Sequence, residues 1–233
     1  MSSRKPWQPE LVLLFCGAQL LCISAGVLAV ALLHKAGVHG FMREDDFGNI
    51  LVATLSFQGA TWLLIPIFLR LNQIYWRDFF GLRIRNFLHG AGWMVVVLIA
   101  ALAFEYVYEI VLQKAGWNGK TQEAVELLMN APLWPTGIYL GFFAVVLAPV
   151  AEEFIFRGVL FPFVKQLGWP KLAWVGVSFL FALIHGAAAI FIPLFVLALA
   201  LTWLYEKTGN LLASIVVHSL FNAANLVIFC LTR

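Results

Sequence analysis

Along the chain, apolar residues gather in long runs, broken by short polar stretches carrying most of the charge. A run of about 20 apolar residues is long enough to cross the hydrocarbon core of a bilayer as one helix. Seven runs qualify as candidates: Leu11–Leu33, Ile50–Leu69, Gly92–Leu112, Gly137–Val164 (interrupted by Pro149), Leu172–Ile190, a short one at Pro193–Tyr205, and Leu211–Leu231. The first run is too long for a signal-peptide core and lacks a small-residue cleavage site after it, so it reads as a permanent helix. The pattern predicts an all-α, polytopic integral membrane bundle of about seven transmembrane helices. The short sixth run leaves six to eight open.

Composition agrees. Of 233 residues, 62% are hydrophobic and 12% charged, and the mean hydropathy is +0.90. A soluble domain sits near half apolar and a quarter charged. A chain this apolar cannot cover a water-facing surface, which excludes a soluble enzyme, a disordered tail and a nucleic-acid binder. The partners it implies are the lipid bilayer and molecules reached from it. Cys16, Cys22 and Cys230 are odd in number and lack metal spacing, so they suggest neither a disulfide framework nor a zinc knuckle.

The net charge of +3 matters through its distribution. Arg4, Lys5, Arg70, Arg77, Arg83, Arg85, Arg157, Lys165, Lys171 and Lys207 fall on one side of the seven-span topology. Lys35, Arg43, Lys114, Lys120, Arg233 and the acidic cluster Glu44, Asp45 and Asp46 fall on the other. Basic loops stay cytoplasmic, so the amino terminus is expected inside and the carboxyl terminus outside, in a prokaryotic inner membrane. Two connectors have character of their own. Asp78–Arg83 (Asp-Phe-Phe-Gly-Leu-Arg) reads as an interfacial connector, with aromatics at headgroup depth. Thr121–Asn130 reads as a short amphipathic surface helix.

Candidate chemistry lies where charge is expensive. An ionisable group inside a span costs roughly 3 kcal/mol on insertion scales and is by default a functional hypothesis. The fourth run holds Glu152, Glu153 and Arg157, the fifth His185, and the seventh His218 and Asn222. They are cheapest to keep if they converge and satisfy one another. Glu153 and Arg157, four apart, lie about 40° from each other around a helix and can pair, whereas Glu152 is about 140° from Arg157 and faces elsewhere. Apolar surroundings and a neighbouring like charge make a carboxylate a better proton acceptor, as water activation requires. His218 and Asn222, also four apart, can both donate toward an oxygen that gains charge during acyl transfer. His185 remains to hold the water or share the base role. Pro149 frees a carbonyl and bends its helix beside the glutamates.

Taken singly, each group has an ordinary structural role: packed histidine, ion pair, helix–helix glue or kink. Six polar groups on three spans are poorly explained that way. Glu105 and Glu109, with Tyr106 and Tyr108 between them, share a face of the third run. They read as outer-interface residues, with the span ending early near Ala103; lining a polar substrate path is the alternative.

Glu152-Glu153-x-x-x-Arg157, Phe181-x-x-x-His185 and His218-x-x-x-Asn222 together resemble the three motifs of the CAAX-processing and bacteriocin-processing (CPBP, or Abi) membrane protease family. Pro149, Gly158 and Thr208-Gly209-Asn210 fit the same pattern, which covers about Gly137–Leu231. The resemblance divides the chain into N-terminal helices at 1–133 and a catalytic core at 134–233. It implies a glutamate-type intramembrane endopeptidase acting on a membrane-associated protein or peptide. Glu152 would activate water with His185, and His218 with Asn222 would form the oxyanion site. Glu153 and Arg157 would support the Glu152 helix, Phe181 would pack, and the chamber would open toward the cytosolic side. No cofactor is expected. Were a zinc ion present, Glu152, His185 and His218 would be its ligands. The residues by themselves also admit a proton-coupled transporter or a non-enzymatic scaffold or immunity protein.

Overall fold

The computed structural model describes residues 6–42, 47–81, 84–116, 136–186 and 188–232. The side chains of 84–89, 136 and 232 are outside that description. The acidic cluster 44–46 and the surface helix expected at 121–130 fall outside it too.

Among the described residues every regular element is helical. Helix α1 (Pro9–Lys35) begins with a proline in its first turn, where the missing N–H costs nothing. Helix α2 (Phe47–Leu71) contains a π turn at Leu55–Gly59. A one-turn helix, α3 (Trp76–Phe80), precedes α4 (Ile84–Lys114). Helix α5 (Gly137–Gln166) carries π turns at Phe143–Leu147 and Phe154–Leu160. Helices α6 (Pro170–Leu183), α7 (Ala188–Thr208) and α8 (Leu211–Thr232) complete the chain. Six of these helices are long and apolar enough to span a membrane, namely α1, α2, α4, α5, α7 and α8. The chain is a multi-pass integral membrane helical bundle.

The fifth and sixth runs differ from the sequence expectation. Helix α6 stops at Leu183 and has only 14 residues, about 21 Å at helical rise. The cause is local: Gly186 takes a left-handed conformation (φ +69°), a common way for helices to end. Residues 188–190, assigned to the fifth run, belong instead to α7, whose 21 residues make the expected short span a full one. His185 therefore sits in the turn after α6 rather than inside a span.

The aromatic connector differs as well. Gly81, left-handed at φ +66°, ends α3, and Phe79 is 1% exposed. Its ring packs on Trp7, Trp76, Phe80 and Phe154. It belongs to the main core with Phe15, Phe68, Phe156, Phe181 and Ile215. A second core joins α4, α7 and α8 through Val97, Leu201, Val217 and Phe221. One end of the bundle is tied by polar contacts: Trp7 N–H donates to Gln166 Oε1 at 2.8 Å, Gln166 Nε2 donates back to Trp7 O at 2.7 Å, and Gln8 N–H donates to Asn72 Oδ1 at 3.2 Å. Lys165 pairs with Glu206 at this end. Helix α4 runs unbroken past Ala103 to Lys114, so Glu105 lies within the span Gly90–Lys114.

Candidate active site

The site grows out of the interrupted geometry of α5. Between its two π turns lies one α-helical stretch, Ala148–Glu153, carrying both glutamates. π turns are frequent at functional sites because they re-aim side chains without ending a helix. Proline explains one of the connections. In π spacing the partner of the Pro149 nitrogen is the carbonyl of Ala144, five residues back, and proline has no N–H to give. Asn222 on α8 supplies the missing donor: its Nδ2 donates to Ala144 O at 2.8 Å. Asn222 thus ties α8 to α5 beside the glutamates.

Glu153 and Arg157 pair as their spacing predicts, Nη1 to Oε1 at 2.8 Å, with exposures of 0% and 1%. Burying such a pair is costly unless further hydrogen bonds satisfy its polar atoms; the arginine finds them, whereas Glu153 Oε2 is buried without a hydrogen-bond partner. Arg157 Nε donates to Thr202 Oγ1 at 3.3 Å and Nη2 to Ala198 O at 2.9 Å. Thr202 in turn donates to Ala198 O at 2.8 Å, with Ser178 Oγ 3.5 Å from its hydroxyl. Sequence reasoning missed Thr202, Ser178 and the Ala198 carbonyl; small hydroxyls in apolar runs carry no signal. Because Arg157 is buried and paired, it drops out of the loop-charge asymmetry in which it was counted.

His218 brings α8 into the same cluster. Its Nδ1 lies 3.1 Å from Glu153 Oε1 and its Nε2 3.8 Å from Glu152 Oε2. The second distance is an ion-pair separation and not a hydrogen bond. Both carboxylates thus address one imidazole. His185 Nδ1 lies 2.7 Å from the Phe181 carbonyl. A carbonyl only accepts, so Nδ1 is the donor in this contact, and it is Nε2 that is left to face the site. Phe181 is the hub of the cluster. Fully buried, its ring lies 4.8 Å from His185, 5.7 Å from His218 and 4.8 Å from the Arg157 guanidinium carbon, centroids being the reference. The packing residue of the second motif therefore lies against Arg157 of the first and His218 of the third.

Two motif glycines act through shape. At Gly158 an added Cβ would stand 2.5 Å from Phe79 Cζ. Gly209 is left-handed at φ +61°, which turns the chain between α7 and α8. Asn210 then caps α8, its Oδ1 accepting from Leu212 N–H at 2.9 Å, and so sets the register that aims His218.

Among the described residues no three His, Cys, Asp or Glu side chains converge closely enough to hold a metal ion. Glu152, His185 and His218 thus do not make up a ligand cluster in this arrangement.

Comparison with known proteins follows the motifs. Residues 132–224 match the family described as Rce1-like, type II CAAX prenyl endopeptidase. The UPF0177 protein YxdF of Lactococcus lactis subsp. lactis (strain IL1403) is 27% identical over 134 residues, covering 56% of this chain and 72% of YxdF. No solved structure matches.

Proposed function

We propose that the protein is an intramembrane endopeptidase, a reading supported by the match of residues 132–224 to the Rce1-like, type II CAAX prenyl endopeptidase family. It hydrolyses a peptide bond of a membrane-associated protein or peptide, in a prokaryotic inner membrane, with its amino terminus in the cytoplasm. The observation that carries this reading is His218 set between two adjacent carboxylates, with a buried arginine fixed on one of them.

The charges suggest the roles. Arg157 is paired with Glu153, which leaves Glu152, 3.8 Å from His218 Nε2, as the carboxylate free to act. Arg157 holds Glu153, Glu153 accepts the His218 Nδ1 proton, and His218 orients Glu152. Glu152 removes a proton from the attacking water and returns it to the leaving amine. His185 Nε2, an acceptor, positions that water. Asn222 spends one N–H on Ala144 and keeps a second, which donates to the tetrahedral oxyanion. No step passes through a metal.

The test is Glu152→Gln, which preserves shape and removes the base. In proteoliposomes, cleavage should fall by about a thousand-fold while the protein stays folded. Substrates come from comparing membrane-protein termini in cells that carry the native protein with those in cells that carry the variant. Cleavage by Glu152→Gln at the native rate would sink the mechanism.

A further inference from the structure

The cluster above leaves an intramembrane carboxylate unused. Glu105 is half-buried in α4, inside an apolar span, and its Oε2 accepts from Asn225 Nδ2 at 2.8 Å. Asn225, Asn222 and His218 are spaced seven, four and zero residues along α8, which puts them within about 60° of one another on a single face. Asn225 stands roughly 10 Å from His218 along the helix axis. Outward from the paired glutamates the face therefore reads His218, then Asn222 on the Ala144 carbonyl, then Asn225 on Glu105. Glu109 lies one turn further along α4 and is exposed. His218 is buried, whereas Asn222 and Asn225 are both half-buried.

The other half of the α4–α8 seam is built differently. There Val97 and Ala101 of α4 share a buried apolar cluster with Val217 and Phe221 of α8. Packing α4 on α8 thus does not call for polar side chains. Each one in hydrocarbon is costly unless protein or a water-filled cavity satisfies it. Glu105 and Asn225 meet in the half of the seam between the glutamates and the membrane face carrying Lys35 and Lys114, and Asn222, about one turn before Asn225, borders it on the α5 side. The two faces are distinguishable because α4 and α8 run parallel, both ending toward that face: Gly90 lies against Thr208, just before α8 begins, and Glu105 meets Asn225 well along both helices.

We propose that this seam is a water route into the cluster from the Lys35 and Lys114 face, lined by Glu105, Asn222 and Asn225. It stands on the seam's own geometry and does not depend on the hydrolytic reading, though a hydrolase working in lipid needs such a supply.

The experiment is thiol accessibility in reconstituted full-length protein with Cys16, Cys22 and Cys230 changed to alanine. A charged, membrane-impermeant methanethiosulfonate is added to one side at a time. Lys35→Cys marks the side in question. Asn225→Cys should label from that side about ten-fold faster than Val227→Cys, since thiol reactivity follows access to water. Val227 lies further out along α8 but faces lipid, at 56% exposure. Asn222→Cys should label from the same side, more slowly than Asn225→Cys. Glu105→Cys repeats the measurement from α4 should Asn225→Cys not fold. Equal rates at 225 and 227, or labelling of 225 only from the opposite side, overturns the proposal. Neither result bears on whether Glu152 cleaves peptides, which Glu152→Gln decides separately.

Discussion

The ring of Phe79 closes on Gly158 so tightly that a methyl group there would stand 2.5 Å from its Cζ and 2.8 Å from its Cε2. The contact joins the interfacial helix α3 to the π turn holding Arg157. Gly158→Ala is expected to destabilise the protein by about 1–3 kcal/mol, the usual cost of overpacking, and to lower activity by shifting that turn. Phe79→Leu in the same chain should recover much of the loss. Thermal unfolding in detergent, measured on the two single variants and the double, checks this; a double variant no better than Gly158→Ala removes the contact as the cause.

Arg157 and Glu153 should behave as a unit. Removing one partner leaves a buried charge alone, which costs about 3–5 kcal/mol. Arg157→Met and Glu153→Gln are each expected to be strongly destabilising, while the double variant loses less than the two losses added together. A double-mutant cycle on unfolding midpoints measures the coupling, and simple additivity would show that the pair contributes little as a pair.

Asn222 bears on both structure and rate. Asn222→Ala removes the donor to the Ala144 carbonyl and, in the proposed mechanism, a donor to the oxyanion. The expected result is a kcat lower by about 10²–10³ with KM little changed, along with about 1 kcal/mol of lost stability. A change confined to stability, with kcat intact in the folded fraction, would restrict Asn222 to its helix-bracing role.

Activity is expected to survive exhaustive treatment with a strong zinc chelator, because the proposed steps use Glu152, His185, His218 and Asn222 alone. The check is cleavage rate before chelation, after it, and after zinc is added back. Loss that only zinc restores would reassign Glu152, His185 and His218 as ligands.

Much of the site is legible in the sequence because hydrocarbon makes polar groups conspicuous. Glu152, Glu153, Arg157, His218 and Asn222 stand out against apolar runs, and four-residue spacing alone predicts the Glu153–Arg157 pair. Spacing says nothing, however, about which imidazole meets the carboxylates. The structure puts His218 there and turns His185 Nδ1 toward the Phe181 carbonyl. The π turns have no residue signature, so the need of the Ala144 carbonyl for Asn222 emerges only once the backbone is seen. Phe79, read as an interfacial aromatic, is core because Gly158 makes room for it. The boundary between α6 and α7 is hidden in the sequence because the apolar pattern runs through it. Gly186, just after His185, was the available signal that α6 ends early.

That early end has a consequence outside the protein. Helix α6 turns a wholly apolar flank outward, with Leu172, Val175, Phe179 and Leu183 each about half exposed. Its length of about 21 Å falls short of a hydrocarbon layer of about 30 Å. Acyl chains beside it must compress or tilt to follow the shorter wall. A local thinning of the lipid along this edge of the bundle, next to the turn that holds His185, is the expected result, and a thicker bilayer would press hardest there.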